Sequence, residues 1–520
     1  MPASPRSLVA TLVLSLIGAC SAPPPSGTAP GQSPPGSSAM MPENPGKTET
    51  PPPEMEEPEG PPAHAGKASD GCGLSIGDIA LYQGVKTLLV RDGVEVRKHG
   101  VDVVQKRPAM VRVFLQTTSA FTPGMVQASL ILSGRDGKKT LVAEHKLAGS
   151  STDADLESTL NFDVPGDMID DKTSFAVELG APSACADVRF PDQKMTSLGA
   201  RRVGKLRITL VPIRYTTDGS NRMPDTSEAQ LGRIRERLQS MYPVETVELT
   251  VREPVKTSIT VTGAPESWDS LLDSMRDLRA SDNPDSDVYY FGLIAPAPTV
   301  EAYCPDQCYL GLSFRTDKAA TKYQAGVGVG FSGDIAASTL AHELGHMAGR
   351  KHAPCKVNTY LDPQYPQAGG KTGSWGWDSR SHALYAPDST DLMGYCSPAW
   401  ISDYTYSAIL DRLVDVDGSV KASSTLSVLP EARVLMVGGG EARWGLGTTD
   451  SGEGAVEQAV VRDEAGAVVA TVDVRRLEVG EGDRWMLVVP APQAGWHTLE
   501  VAGAAPVRFE DSAGTSAFEP

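Results

Sequence analysis

The chain has 520 residues, 40% of them hydrophobic, 22% charged and 6% aromatic, a balance that suits folded domains and excludes a wholly disordered or polytopic membrane chain. Lys plus Arg total 47 against 65 for Asp plus Glu, a formal charge of -18, which excludes general attraction to nucleic acid or to an anionic bilayer surface as the work of the whole chain. At roughly 100 to 200 residues per domain, three domains are expected once any tail is subtracted.

In chain order, Arg6 is the one charged side chain ahead of an apolar run from Leu8 to Ile17 that ends in Gly18-Ala19-Cys20. The run falls short of the about 20 residues that span a bilayer, so residues 1–19 are expected to be a secretory signal. Leu16-Ile17-Gly18-Ala19-Cys20 resembles the bacterial lipobox, with Ile where Leu is commonest. The resemblance implies cleavage before Cys20, its acylation, and anchorage of the N-terminus in the lipid bilayer of a bacterial cell envelope, at an outer membrane or cell surface, with release outside the cell as a variant. An ordinary signal peptide with a chance cysteine is the alternative. From Ser21 to Asp70, 14 of 50 residues are proline; residues 20–71 therefore read as a disordered tether.

Residues 72–203 show short apolar or alternating runs, Lys86 to Val90, Met110 to Leu115 and Ala128 to Leu132, with a turn at Gly134-Arg135-Asp136-Gly137. Strands and hairpins in a β-sandwich are expected, with His99 and His145 isolated at the surface. In 204–423 the period changes. Leu206 to Ile213 is a strand, Leu231, Ile234, Leu238 and Met241 mark a helix stopped by Pro243, and Thr246 to Val251 is a strand. Trp268, Leu271, Leu272, Met275 and Leu278 mark a second helix, and Val288 to Ile294 and the run through Val327, Val329 and Phe331 are strands. This order predicts an α/β layer with a mixed sheet, in which the strand ending near Phe331 could pair with an extended substrate.

Ser332 or Asp334 can cap a helix that ends at Met347 or Ala348, with Gly349 as its left-handed stop. His342 and His346 are four apart on that helix, so both imidazoles project from one face about one turn apart, the spacing of two ligands to one metal ion. Glu343 is rotated from them and can reach a water at the metal without taking a coordination position. His352 returns after Gly349 as a third nitrogen ligand.

The string His342-Glu343-Leu344-Gly345-His346-Met347-Ala348-Gly349-Arg350-Lys351-His352 resembles the long zinc motif of the metzincin metalloendopeptidases. The resemblance implies an α+β zincin fold with a mixed five-stranded sheet, one catalytic zinc on His342, His346 and His352, and Glu343 as general base and acid in peptide hydrolysis. It further implies a turn with Met393 beneath the metal, in Asp391-Leu392-Met393-Gly394-Tyr395, and Tyr395 as an oxyanion donor. The residue after the third histidine, Ala353, matches none of the subfamilies that are told apart there, so the subfamily and the substrate preference stay open.

With Cys20 assigned to lipid, Cys72, Cys185, Cys304, Cys308, Cys355 and Cys396 remain, and six cysteines allow 15 pairings. Proximity favours Cys304 with Cys308, Cys355 with Cys396, and Cys72 with Cys185; Cys304 and Cys308 holding a metal, and Cys72 capping the zinc as a latency switch, are the alternatives. Trp375, Trp377, Tyr385 and Trp400 could line a specificity pocket or pack. His382 is surplus, and a structural calcium on Asp388, Asp391 and Asp403 has no loop pattern behind it. Ile401 to Val416 is the expected closing helix. In 424–520 strand patterns return (Leu426 to Leu429, Arg433 to Val437, Val456 to Val461, Val468 to Val474, Trp485 to Val489, Trp496 to Val501), with a hairpin turn at Asp463 to Gly466, so a second all-β sandwich is expected.

The sequence thus points to a lipid-anchored zinc endopeptidase acting on proteins or glycoproteins, with no nucleic-acid partner. The rival is a surface binding or adhesion protein on the same scaffold with latent or no catalysis.

Overall fold

In the first β unit, side chains alternate between core and solvent and the strands fall into two five-stranded antiparallel sheets. Leu74–Tyr82 lies between Lys86–Arg91 and Ala109–Thr117 in one; Gly124–Gly134 and Gly137–Leu147 form a hairpin in the other, with Gly134 opposite Gly137 at the expected turn. Inward residues of both sheets, Ile79, Val113, Val126, Leu130 and Val177 among them, share one core, the arrangement of a sandwich. Cys72 and Cys185 are joined across it. The computed structural model describes residues 64–68, 71–306, 308–316, 321–416, 430–449, 451–512 and 514–519. The signal 1–19, Cys20, most of the tether and the expected strand Leu426 to Leu429 lie outside the described residues. No described helix is long and apolar enough to cross a membrane.

The middle unit runs β1 (Leu206–Tyr215), α1 (Glu228–Met241), β2 (Val247–Val251), α2 (Glu266–Asp282), β3 (Val288–Ile294), β4 (Gly311–Arg315), β5 (Ala325–Val329), α3 (Asp334–Met347) and α4 (Asp403–Val416). These five strands lie in the order β2-β1-β3-β5-β4, the first four parallel and β4 antiparallel to β5, with the short strand Val255–Thr257 also pairing with β1. The sheet is mixed, as expected, but β5 lies inside it between β3 and β4, so it is not the strand that could take a peptide. The outer strand of these five is β4, which five residues are too few to mark in the sequence, and its far side is already paired, Phe314 with Val479 and Arg315 with Glu478. Leu312 and Phe314 of β4 enter the core; Gly311 has no room for a Cβ because Glu343 and Thr339 of α3 stand within 2.8 Å of where it would be, so the edge strand lies directly on the helix that bears the motif.

The last unit, β6 (Glu431–Gly438), β7 (Glu441–Thr449), β8 (Ala455–Arg462), β9 (Val468–Val479) and β10 (Arg484–Pro490), corrects the expectation of a second sandwich. It is one antiparallel sheet, β7-β6-β10-β9-β8, continued by Thr498–Glu500 and Val507–Arg508. The turn at Asp463 to Gly466 joins β8 to β9 as expected. The alternation that suggested a sandwich serves two different cores. Leu435, Val437, Leu487 and Val489 face the unit's own interior with Trp444 and Phe509. Val434, Met436, Met486 and Val488 instead share the core of Leu271, Leu272 and Met275 on α2. A buried ion pair fixes the same face: Arg484 binds Asp269 of α2, Nε to Oδ1 at 2.9 Å.

Of the two roles open to Trp375, Trp377, Tyr385 and Trp400, the structure shows packing: they seat the first β unit. Trp400 Nε1 donates to Gly84 O at 2.7 Å and the Trp377 N–H to the same oxygen at 3.0 Å, while Tyr385 stacks on Trp400 with ring centroids 4.3 Å apart. Trp377 and His382 line a cleft there with Tyr82 and Arg107, away from the motif, and Trp375 packs beside them.

Candidate metal centre

Helix α3 starts at Asp334 with Gly333 as its cap residue, not Ser332 or Asp334. The Ser332 hydroxyl is spent on Asp225 at 2.6 Å, and Gln230 accepts the Gly333 N–H at 2.8 Å. Gly349, with φ 84°, ends the helix turn as expected. The chain then returns His352 to His342 and His346, so the three predicted imidazoles meet.

Each ring is held by its far nitrogen. Nδ1 of His342 bonds Leu392 O at 2.9 Å, that of His346 bonds Arg350 O at 2.8 Å, and that of His352 bonds Thr359 O at 3.1 Å. A carbonyl only accepts, so each Nδ1 carries the hydrogen and each Nε2 turns a lone pair to the centre. Nε2 of His342 and of His346 are buried without a hydrogen-bond partner.

A fourth group stands there that the motif does not contain. Glu481, from the turn between β9 and β10, puts Oε1 at 3.2 Å from His342 Nε2, 3.7 Å from His346 Nε2 and 3.4 Å from His352 Nε2. The ligand atoms of all four residues lie within 4.8 Å of one another. Lone pairs converging from three imidazoles and a carboxylate repel unless positive charge lies among them, so the cluster fits a metal ion. Burial alone would lower the His342 imidazole, but the nearby Glu481 carboxylate outweighs it and pushes it up to about 9. Burial holds His346 down to about 3. Although burial opposes it, the imidazoles hold Glu481 well below the usual carboxylate range.

Glu343 is buried beside this cluster. Burial, and then the Glu481 charge, push its carboxyl up to about 8, and the Ser313 hydroxyl of β4 hydrogen-bonds its Oε2 at 2.6 Å. The Tyr395 hydroxyl lies 3.3 Å from His352 Nε2 and donates to Glu481 Oε2. Burial and that carboxylate push the Tyr395 hydroxyl far up, so it stays a donor. Met393 is buried beneath α3, and a Cβ on Gly345 would penetrate its Sδ; the glycine between the two helical histidines lets the methionine close in.

The turn that carries Met393 is built on Asp391, whose carboxylate accepts the N–H groups of Met393 at 2.8 Å and Ser402 at 2.9 Å. Its oxygens are thus spent on the backbone, and the metal-competent cluster found among the described residues does not include it. Cys355 and Cys396 are joined, as are Cys304 and Cys308, so all three pairs expected from proximity form and Cys72 is not at the centre. Ala353 is fully buried and donates its N–H to Met393 O at 3.0 Å. The residue after the third histidine therefore packs against the methionine turn.

No family model and no curated protein matches this chain. Among solved structures, metalloproteinase-II from Bacteroides fragilis aligns over 51% of this chain and 80% of its own, at 11% identity and a TM-score of 0.21. At that distance the likeness carries no argument, and function has to be read from the site itself.

Proposed function

We propose that the chain is a zinc-dependent endopeptidase that hydrolyses peptide bonds of proteins or glycoproteins, held at a bacterial cell envelope by acylated Cys20 and the proline-rich tether. The observation that carries the catalytic part is the convergence of three Nε2 lone pairs with Glu343 buried beside them; the anchor rests on residues 1–71 alone. His342, His346 and His352 would hold the ion, a nitrogen set that suits zinc. Zinc bound there supplies Lewis acidity toward the scissile carbonyl and the attacking water. Glu343 takes the proton from that water and returns it to the leaving amine; burial raises its carboxyl from the ordinary range toward neutrality, the direction that a group exchanging a proton in both senses requires. Ser313 fixes the orientation of that carboxyl from the edge strand. Tyr395 has a donor for the developing oxyanion once it releases Glu481. An extended peptide would add to β4 as a strand, through backbone hydrogen bonds that do not depend on its sequence.

One observation favours the rival reading of a latent or non-catalytic binding protein: Glu481 stands where a substrate carbonyl would approach. The test therefore uses the full chain with Glu481→Ala, loaded with zinc and offered a mixed peptide library. Cleavage is expected, and adding Glu343→Ala should lower it by about 10²- to 10⁴-fold at unchanged zinc content. A zinc-bound Glu481→Ala protein that cuts nothing, or cleavage that survives Glu343→Ala, refutes the proposal.

A further inference from the structure

We propose that residues 479–483 are a built-in occupant of the substrate groove and that Glu481 is a fourth protein ligand to the metal, so that the chain folds as a latent enzyme closed by its own C-terminal unit. The inference rests on the zinc reading above and adds a regulatory role for that same site.

Three features of the segment converge. The end of β9 pairs antiparallel with the edge strand, Val479 opposite Phe314 and Glu478 opposite Arg315, and the Gly480 N–H donates to Ser313 O at 2.7 Å. Those are the backbone groups of β4 that an added peptide strand would need. Next, Glu481 Oε1 faces all three Nε2 atoms while Tyr395 holds the other oxygen, so the carboxylate is both aimed and satisfied. Finally, the flanking residues are shaped for the approach. A Cβ on Gly480 would stand 2.5 Å from the His346 ring, and Gly482 turns the chain back at φ 69°.

The chemistry suits closure. A carboxylate offsets part of the charge of a divalent ion held by neutral imidazoles, takes the position that water or a carbonyl needs, and cannot itself be hydrolysed. The fold also limits what can open. Release of the whole unit would expose Val434, Met436, Met486 and Val488, now in a common core with α2, and would break the Arg484–Asp269 pair. Residues 480–483 bury no such surface. The latch is therefore the turn, opened by cutting it or by a ligand that competes for β4 and the metal.

The test loads the full chain with Co²⁺ and follows its visible absorption as acetohydroxamate, a small chelating probe, is added. The wild-type spectrum should stay unchanged at concentrations that shift the spectra of Glu481→Gln and Gly480→Ala, with one Co²⁺ retained per chain. Gly480→Ala keeps the Glu481 carboxylate and acts by driving the turn off the His346 ring, so agreement between the two variants, each retaining its Co²⁺, guards against a loss of folding specific to Glu481. If the groove is open one time in a hundred, zinc-loaded variants should cleave peptides about 100-fold faster than wild type. A wild-type spectrum that responds like the variants overturns the latch, as does loss of Co²⁺ from both, which would make Glu481 the structural ligand of a permanently closed site. Spectral opening without any cleavage supports the latch and refutes the peptidase reading.

Discussion

The seating of the C-terminal unit depends on one buried pair, and its removal makes a quantitative test of the arrangement. Arg484 and Asp269 side chains are 6% and 2% exposed, and the guanidinium meets the carboxylate through two nitrogens. Removing one partner of a buried pair costs about 3–5 kcal/mol, because the other charge is left without compensation. The two halves should not cost the same. Arg484→Met leaves Asp269 with Arg443, Nη2 to Oδ2 at 2.8 Å, a half-exposed partner that recovers part of the charge, so about 2 kcal/mol is expected. Asp269→Asn leaves the Arg484 guanidinium facing only Glu266 at 3.4 Å, on an exposed side chain, so the loss should approach about 4 kcal/mol. The double variant Arg484→Met with Asp269→Asn removes both charges and should lose less than the sum, with a coupling of about 2 kcal/mol. Urea denaturation of the four proteins, followed by tryptophan fluorescence, measures the cycle. Single variants within about 0.5 kcal/mol of wild type, together with an additive double variant, would refute the burial of this pair and with it the docking of the last unit on α2.

Two further outcomes are expected from the packing. Gly345→Ala drives a methyl into Met393 Sδ and should cost about 1–3 kcal/mol by overpacking and weaken zinc binding. Adding Met393→Ala should recover part of both, and a neutral Gly345→Ala in denaturation and zinc competition would contradict the packing. His99, expected at the surface, is instead half-buried, and burial lowers its pKa against the opposing charge of Asp102. The unfolded chain then binds the proton first, near pH 6.5, so this contribution to stability is whole above that value and declines as pH falls toward the folded pKa. Urea midpoints between pH 7.5 and 5 should fall more steeply for wild type than for His99→Gln, by at most about 1.4 kcal/mol per pH unit; parallel profiles would show that His99 does not contribute.

Much of the centre was legible because its parts are local. Two histidines four apart on a helix must share a face, whatever surrounds them, and Gly349 supplies the reversal that returns His352. The stripes Leu231, Ile234, Leu238, Met241 and Trp268, Leu271, Leu272, Met275 gave α1 and α2 for the same reason. Alternation was less decisive. It gave β5 and the last unit as strands, but a period of two does not say what covers each face. The edge role assigned to β5 belongs to β4, and a second sandwich proved to be one sheet whose outer face is core for α2.

The sequence by itself brought the three imidazoles and Glu343 together, since helical spacing and one glycine reversal fix them; Met393 followed from the resemblance, and the three cysteine pairs were one choice among 15 that the tertiary structure made, Cys72 and Cys185 lying 113 residues apart. Only the tertiary structure decided that Glu481 closes the centre. It lies 129 residues beyond His352, and its only local cue is an acid between Gly480 and Gly482. Pairing of β9 with the edge of β4 brings it there, and which strand covers an open sheet edge depends on the packing of whole units, which no spacing of residues records.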